Sequence, residues 1–220
     1  MDRLPTDPAA LRISYERGAL TEESAPSEPL ALFTDWFADA VNAGLPDPNA
    51  MVLATASADG QPRARTVLLK GFKEDGFQFF TNHASRKGRD LAENPWASLL
   101  FLWHPLQRQV IVMGRVERLP EEESAAYFRS RPYGSQIGAW ASRQSSVVSG
   151  REELEDRFSK LTLKWPEPDS VPVPDFWGGY RVIPDSVEFW QGRPDRLHDR
   201  LRYTRETGPP DHWLRERLAP

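Results

Sequence analysis

The chain has 220 residues, with 28 basic and 32 acidic side chains giving a formal net charge of −4. That length allows one large domain or two small ones, and the acidic balance argues against a nucleic-acid binder. The absence of cysteine rules out disulfides, thiolate metal sites and cysteine nucleophiles, and it suits a reducing, cytoplasmic setting.

Residues 1–28 are polar and irregular and read as a flexible N-terminal segment, leaving 29–220 as a single domain. The opening residues lack the apolar core of a signal peptide, and no apolar run is long enough to span a bilayer. Ser27-Glu28-Pro29 is a helix start with Ser27 as the cap. Leu30, Phe33, Trp36, Phe37, Ala40 and Val41 then recur at helical spacing up to Gly44.

Strands follow. Met51–Ala56 is apolar, and Asp59-Gly60 is a hairpin turn. The return strand runs from Arg63 to Lys70 and places Arg63, Arg65, Val67 and Leu69 on one side. A second turn at Asp75-Gly76 leads into Phe77–Thr81, completing an antiparallel meander.

Ser85 is a candidate cap for a short helix whose first turn carries Arg86 and Lys87. Cations oppose the helix dipole at that end, unless an anion such as a phosphate occupies it. The plainer alternative is an ordinary surface helix. Trp96–Trp103 and Gln107–Glu117 read as a buried strand and its long partner. Pro120 opens a helix reaching Arg129, and a short small-residue segment spans Ser135–Ser142. The polar tetrad Arg143-Gln144-Ser145-Ser146 is a loop or a binding edge. A helix over 150–164 follows, with Leu154, Phe158 and Leu161 as its stripe. Beyond the proline-rich 166–174 connection come two strands, Trp177–Val182 and Ser186–Gln191.

Phe189–Arg200 (FWQGRPDRLHDR) holds three arginines and a histidine. Read as a hairpin, its second strand would carry Arg196, His198 and Arg200 on one face, suited to an anionic, protonatable small molecule. A last strand lies near His212–Arg215. The four histidines show no metal-ligand spacing, and neither a Rossmann nor a P-loop motif is present. The predicted fold is mainly β, a barrel-like antiparallel sheet of about eight strands with helices around it.

The ordered blocks RTVLLK (65–70), FFTNHASRK (79–87), RQVIVMG (108–114), YFRSRPYGSQIGAW (127–140), RQSS (143–146), FWGGYRV (176–182), EFWQG (188–192) and RLHDR (196–200) resemble the pyridoxamine 5′-phosphate oxidase family. The resemblance implies an FMN-binding split β-barrel of antiparallel Greek-key type. It implies a cytoplasmic homodimer with a flavin at each subunit interface. The implied reaction is oxidation of pyridoxamine or pyridoxine 5′-phosphate to pyridoxal 5′-phosphate by O2, giving hydrogen peroxide.

For FMN, the resemblance implies Arg65, Val67, Leu68, Lys70, Phe80, Thr81, Arg86, Lys87, Gln109, Gln144, Ser145, Trp190 and Arg200, with Gln144 and Ser145 coming from the partner subunit. For the substrate it implies Arg12, Tyr15, Lys70, Tyr127, Arg131 and Ser135, with Arg196 and His198 at the reacting carbon. The segment holding Arg12 and Tyr15 would close over the site as a lid. Phe80 stands where the family commonly has tyrosine, so a hydroxyl is absent there. Rival expectations are a phenazine-type flavin oxidase on the same barrel, a non-catalytic flavin or pyridoxal-phosphate binder, and a nucleic-acid-binding barrel.

Overall fold

The computed structural model describes residues 14–206, 208 and 212–220. Arg12 therefore lies outside the described residues. The chain forms two compact units: one of residues 1–48, 102–111 and 187–220, the other of 49–101 and 112–186.

In the first unit, helix α1 spans Pro29–Asn42. Proline occupies its first turn, which makes Glu28 rather than Ser27 the capping residue, and no side chain closes that cap. Its apolar stripe buries Phe33 and Trp36. Phe33 packs 5.9 Å from Trp103, and Trp36 stands edge-on to Phe189 at 5.3 Å. Each such buried ring contributes roughly 1.5–3 kcal/mol relative to exposure.

Residues 14–28 belong to this unit and are pinned to it. The backbone N–H groups of Glu16 and Arg17 both donate to Gln107 Oε1, at 3.0 Å each. Leu20 is buried, and its N–H donates to Asp199. Tyr203 donates its hydroxyl proton to the Pro26 carbonyl.

In the second unit, β1 (Ala50–Ala56) pairs antiparallel with β2 (Pro62–Leu68), with Leu53 opposite Arg65. The alternation predicted for β2 holds: Arg63, Arg65 and Val67 are half-covered while Ala64, Thr66 and Leu68 face outward. The strand ends at Leu68 rather than Lys70. Leu69 turns back to donate to the Asn49 carbonyl and Lys70 to that of Gln78, and a short β3 (Gly71–Lys73) follows. β4 (Gly76–Asn82) runs into helix α2 (Arg86–Glu93).

β5 (Trp96–Trp103), β6 (Arg108–Arg118) and β7 (Trp177–Gln191) contribute residues to both units. β7 is one strand of 15 residues where two were predicted. Pro184 does not break it, because proline's fixed φ is compatible with extended chain and costs only one donor. Helices α3 (Glu121–Ser130), α4 (Tyr133–Ala141) and α5 (Arg151–Lys164) lie between β6 and β7 in the chain. Phe128, Ile137, Val171 and Trp177 form a buried cluster there.

β8 (Asp199–Glu206) and β9 (His212–Arg217) close the chain as an antiparallel pair. Among the described residues there are nine strands, in the order β2-β1-β5-β6-β7-β4-β3, with β8 beside β7 and β9 beside β8. No helix among them is long and apolar enough to cross a membrane.

Candidate active site

A cavity of about 820 Å³ opens in the second unit, within the range of small-molecule sites. One part of its wall is the β4–α2 junction. Ser85 Oγ caps α2 by accepting the Gly88 N–H at 3.3 Å. The cap sets Arg86 and Lys87 into the first turn, with no acid there to offset them.

Lys87 is buried, and among the described residues its ammonium donates only to neutral oxygens: Thr81 Oγ1 at 3.1 Å, Gln144 Oε1 at 3.2 Å and Ser85 Oγ at 3.4 Å. Burial, reinforced by the nearby Arg65 guanidinium, pushes its pKa down to about 8. A buried ammonium with neutral partners beside a second cation is a site for an anion.

Arg65 is oriented from behind. Its Nη1 donates to the Leu53 carbonyl at 3.0 Å and to Thr55 Oγ1 at 2.8 Å. Buried Asp90 of α2 lies 3.8 Å from Arg65 and 3.0 Å from Arg63, and it accepts the Thr55 hydroxyl. Asp90 escaped the sequence reading. In the sequence it is one of two acids in α2, one helical turn beyond Arg86.

The loop after α4 returns Gln144 and Ser145 to this wall. Ser145 Oγ accepts the Arg86 N–H at 3.2 Å, and Gln144 meets Lys87 and Thr81. Both were expected from a partner subunit. Here they reach Lys87 and Arg86 of their own chain, because α4 ends at Ala141 and the left-handed Ser145 (φ 72°) turns the loop inward.

The rest of the wall includes Val67, Leu68, Lys70, Phe80, Tyr127, Arg131 and Ser135, together with Trp177, for which the sequence alone predicts only a place on a strand. Arg131 Nη1 is buried without a hydrogen-bond partner among the described residues. Burial lowers the Arg131 pKa, with Tyr127 opposing. Buried Lys87 and half-buried Arg131 are thus two cations on one cavity without anionic hydrogen-bond partners among the described residues. With the flat faces of Phe80 and Trp177 beside them, the donor set fits a phosphorylated aromatic cofactor together with a phosphorylated substrate.

The remaining expected residues lie in the first unit. Tyr15, Trp190 and His198 form a ring cluster, with centroids 4.7 Å apart for Trp190 and His198 and 5.7 Å for Tyr15 and His198. Arg196 and His198 do not share a strand face with Arg200. Pro194–Arg196 is a short 3-10 turn, and β8 begins only at Asp199. Asp195 (φ 54°) and Arg196 (φ 62°) are both left-handed, a strain of roughly 1–3 kcal/mol each that marks functional turns.

His198 Nδ1 accepts the Arg193 N–H at 3.1 Å, so the neutral ring carries its proton on Nε2. Burial and the adjacent Arg196 hold its pKa below the ordinary value, against the pull of Asp199. Arg200 is engaged by Glu188 through Nε at 2.8 Å and Nη2 at 3.1 Å. Gln109 sits half-buried on β6. Among the described residues no cluster of histidines and acids is arranged to hold a metal.

Comparison with known proteins gives the family. Residues 37–165 match the family model described as pyridoxamine 5′-phosphate oxidase, and residues 177–220 match a pyridoxine 5′-phosphate oxidase C-terminal dimerisation region. The chain is 54% identical to a pyridoxine/pyridoxamine 5′-phosphate oxidase of Streptomyces avermitilis, covering 100% of this chain and 99% of that one. A Burkholderia multivorans protein of the same name is 56% identical, covering 96% and 98%.

Among solved structures, PhzG from Burkholderia lata 383, in complex with tetrahydrophenazine-1-carboxylic acid, superposes with a TM-score of 0.84 at 34% identity, covering 92% and 98%. A pyridoxamine 5′-phosphate oxidase-related, FMN-binding protein from Nostoc punctiforme shares the fold at a TM-score of 0.69 and 18% identity, covering 89% and 100%. The fold is the mainly antiparallel split-barrel class expected from the sequence. With a family model over more than half its length and relatives above 50% identity end to end, the chain belongs to the pyridoxamine 5′-phosphate oxidase family.

Proposed function

We propose that this protein uses FMN and O2 to oxidise pyridoxamine or pyridoxine 5′-phosphate to pyridoxal 5′-phosphate, in vitamin B6 biosynthesis or salvage. The alcohol and O2 give the aldehyde and hydrogen peroxide. The amine also consumes water and releases ammonia. The observation that carries this reading is the pair of cations on one cavity, buried Lys87 and half-buried Arg131, neither with an anionic hydrogen-bond partner among the described residues.

FMN, when bound, supplies the two-electron acceptor. Arg65, Arg86 and Lys87 hold its phosphate. Val67, Leu68, Lys70, Phe80, Thr81, Gln109, Gln144, Ser145, Trp190 and Arg200 hold the remainder. Lys70, Tyr127, Arg131 and Ser135 hold the substrate phosphate, which fixes the pyridine ring by proximity and orientation. Arg196 and His198 orient the reacting carbon, His198 as a donor through Nε2. Arg12 and Tyr15 belong to a lid formed by residues 1–28 over the 29–220 domain. The ring contacts of Tyr15 with Trp190 and His198 support that role.

A homodimer with FMN at the interface is part of the proposal, supported by the match to a dimerisation region. The outward side of β1 and β5 adds to it: it carries the Val52–Leu100 pair and, at the start of β5, Trp96, which is 52% exposed. A cytoplasmic location agrees with the cysteine-free composition.

The phenazine-type alternative has the likeness to PhzG in its favour. The test is peroxide release by FMN-loaded protein given pyridoxine 5′-phosphate, pyridoxamine 5′-phosphate or tetrahydrophenazine-1-carboxylic acid. Turnover of the phosphorylated vitamers is expected, and turnover of the tricyclic acid alone would replace this reading. Arg86→Ala is expected to lose FMN on dialysis. His198→Ala is expected to keep FMN and lose turnover by about 10²-fold or more.

A further inference from the structure

We infer that Trp177 is a positioning residue for the substrate phosphate, presenting Arg131 and, through Phe80, Tyr127. This rests on the function proposed above. The arrangement begins in the β4–β7 ladder, where Phe80 is opposite Gly179 and Asn82 opposite Trp177. A Cβ at residue 179 would lie 2.8 Å from Phe80 Cε1 and 2.5 Å from Leu119 Cδ1, so glycine is what lets the Phe80 ring lie against the β7 backbone. From there Phe80 stacks on Trp177 at 5.5 Å and 14°, and on Tyr127 at 4.0 Å and 22°. The Tyr127 and Trp177 planes are within 8° of parallel.

Arg131 completes the stack. Its guanidinium carbon lies 4.8 Å over Trp177 and 5.6 Å over Phe128. Its backbone is held too, the carbonyl accepting from buried Gln136 at 2.9 Å. The contrast with Arg63 and Arg65 is chemical. Those two are fixed by the carboxylate of Asp90, which cancels part of their charge. A ring face holds a guanidinium without neutralising it. Arg131 is therefore held by ring faces with no carboxylate cancelling its charge, on the wall of the cavity. The family resemblance implies Lys70, Tyr127, Arg131 and Ser135 for the substrate phosphate, and Trp177 joins two of these, contacting Arg131 directly and Tyr127 through Phe80.

The experiment measures the Kd of pyridoxal 5′-phosphate by titration, and KM and kcat with pyridoxine 5′-phosphate. The proteins are FMN-loaded wild type, Trp177→Leu, Trp177→Phe, Arg131→Ala and the Trp177→Leu/Arg131→Ala double variant. Trp177→Leu is expected to raise Kd and KM by roughly 3- to 30-fold, the range of a partly desolvated cation–π contact. In Trp177→Leu, kcat of the FMN-saturated protein should change less than about threefold, and FMN affinity should fall less than the affinity for pyridoxal 5′-phosphate. Trp177→Phe, which keeps a ring face and serves if the leucine variant does not fold, should recover most of the loss. In the Arg131→Ala background the Trp177 change should add little, since coupled residues are not additive. Equal losses in both backgrounds, or a fall in kcat with KM unchanged, would overturn the inference. Wild type that binds no phosphorylated vitamer would instead overturn the proposed function. Binding without turnover would remove the oxidase reading and leave the Trp177 comparison intact in Kd.

Discussion

His83 shows what one side chain contributes when its surroundings are fixed. Its imidazole packs edge-on to Tyr180 at 5.0 Å, and its buried Nε2 has no hydrogen-bond partner among the described residues. Burial, with Arg118 adding to it, pushes its pKa down to about 4. The unfolded chain takes up this proton near pH 6.5, whereas the folded chain declines it until about pH 4. The contribution of this histidine to stability is therefore fully present above pH 6.5 and is lost as the pH drops from there towards 4. Thermal midpoints between pH 7.5 and 4.5 should decline more steeply for wild type than for His83→Gln, and equal slopes would refute the assignment. In the sequence His83 was one of four histidines without metal spacing. Its environment arises from residues 118 and 180, which no local pattern connects to it.

At the scale of elements, α2 was the most legible part of the site. Ser85 as cap and two cations against the dipole marked an anion-binding end, and the structure puts Lys87 and Arg86 on the cavity. What the sequence did not disclose was the clearance. A Cβ on Gly88 would come 2.0 Å from the His83 carbonyl oxygen, so only glycine lets the first turn of α2 close on the end of β4. Gly88→Ala is expected to cost ~1–3 kcal/mol or more, since backbone must move, and to weaken FMN retention with it. A denaturant midpoint and an FMN titration read both effects. Normal FMN affinity in a destabilised protein would separate fold from site. The turn before β8 was the least legible. Gly192–Asp195 was read as a tight hairpin turn with strand resuming at Arg196, but consecutive left-handed residues at 195 and 196 push the start of β8 to Asp199. Left-handed backbone outside glycine is a tertiary imposition that propensities do not register.

For the whole molecule, the proposed homodimer places the burden on surfaces that one chain leaves open. β1 and β5 alternate buried and less buried positions, and their outward side carries Val52, Leu100 and Trp96, with Met113 of β6 53% exposed. Large apolar side chains clustered on an open sheet face mark an association surface. Sedimentation of wild type should give twice the 25.1 kDa chain mass. Trp96→Glu should raise the dimer dissociation constant by about tenfold or more, because a buried carboxylate would lack a partner. A Trp96→Glu protein that remains dimeric at the same concentrations would move the interface elsewhere.

Local chemistry sufficed for most element types, for the cap and cations of α2 and for the alternation of β2, because each follows from period, dipole and turn preference within a few residues. The ordered blocks from RTVLLK to RLHDR sufficed for the family. Tertiary structure alone decided that Asp90 holds Arg63 and Arg65, that Gln144 and Ser145 reach Lys87 and Arg86 of their own chain, and that Trp177 carries Arg131. Each of these joins residues 25 or more positions apart. Their contact depends on strand register, on glycine clearances at 88 and 179, and on where a loop turns back, none of which is written in any single stretch of the chain.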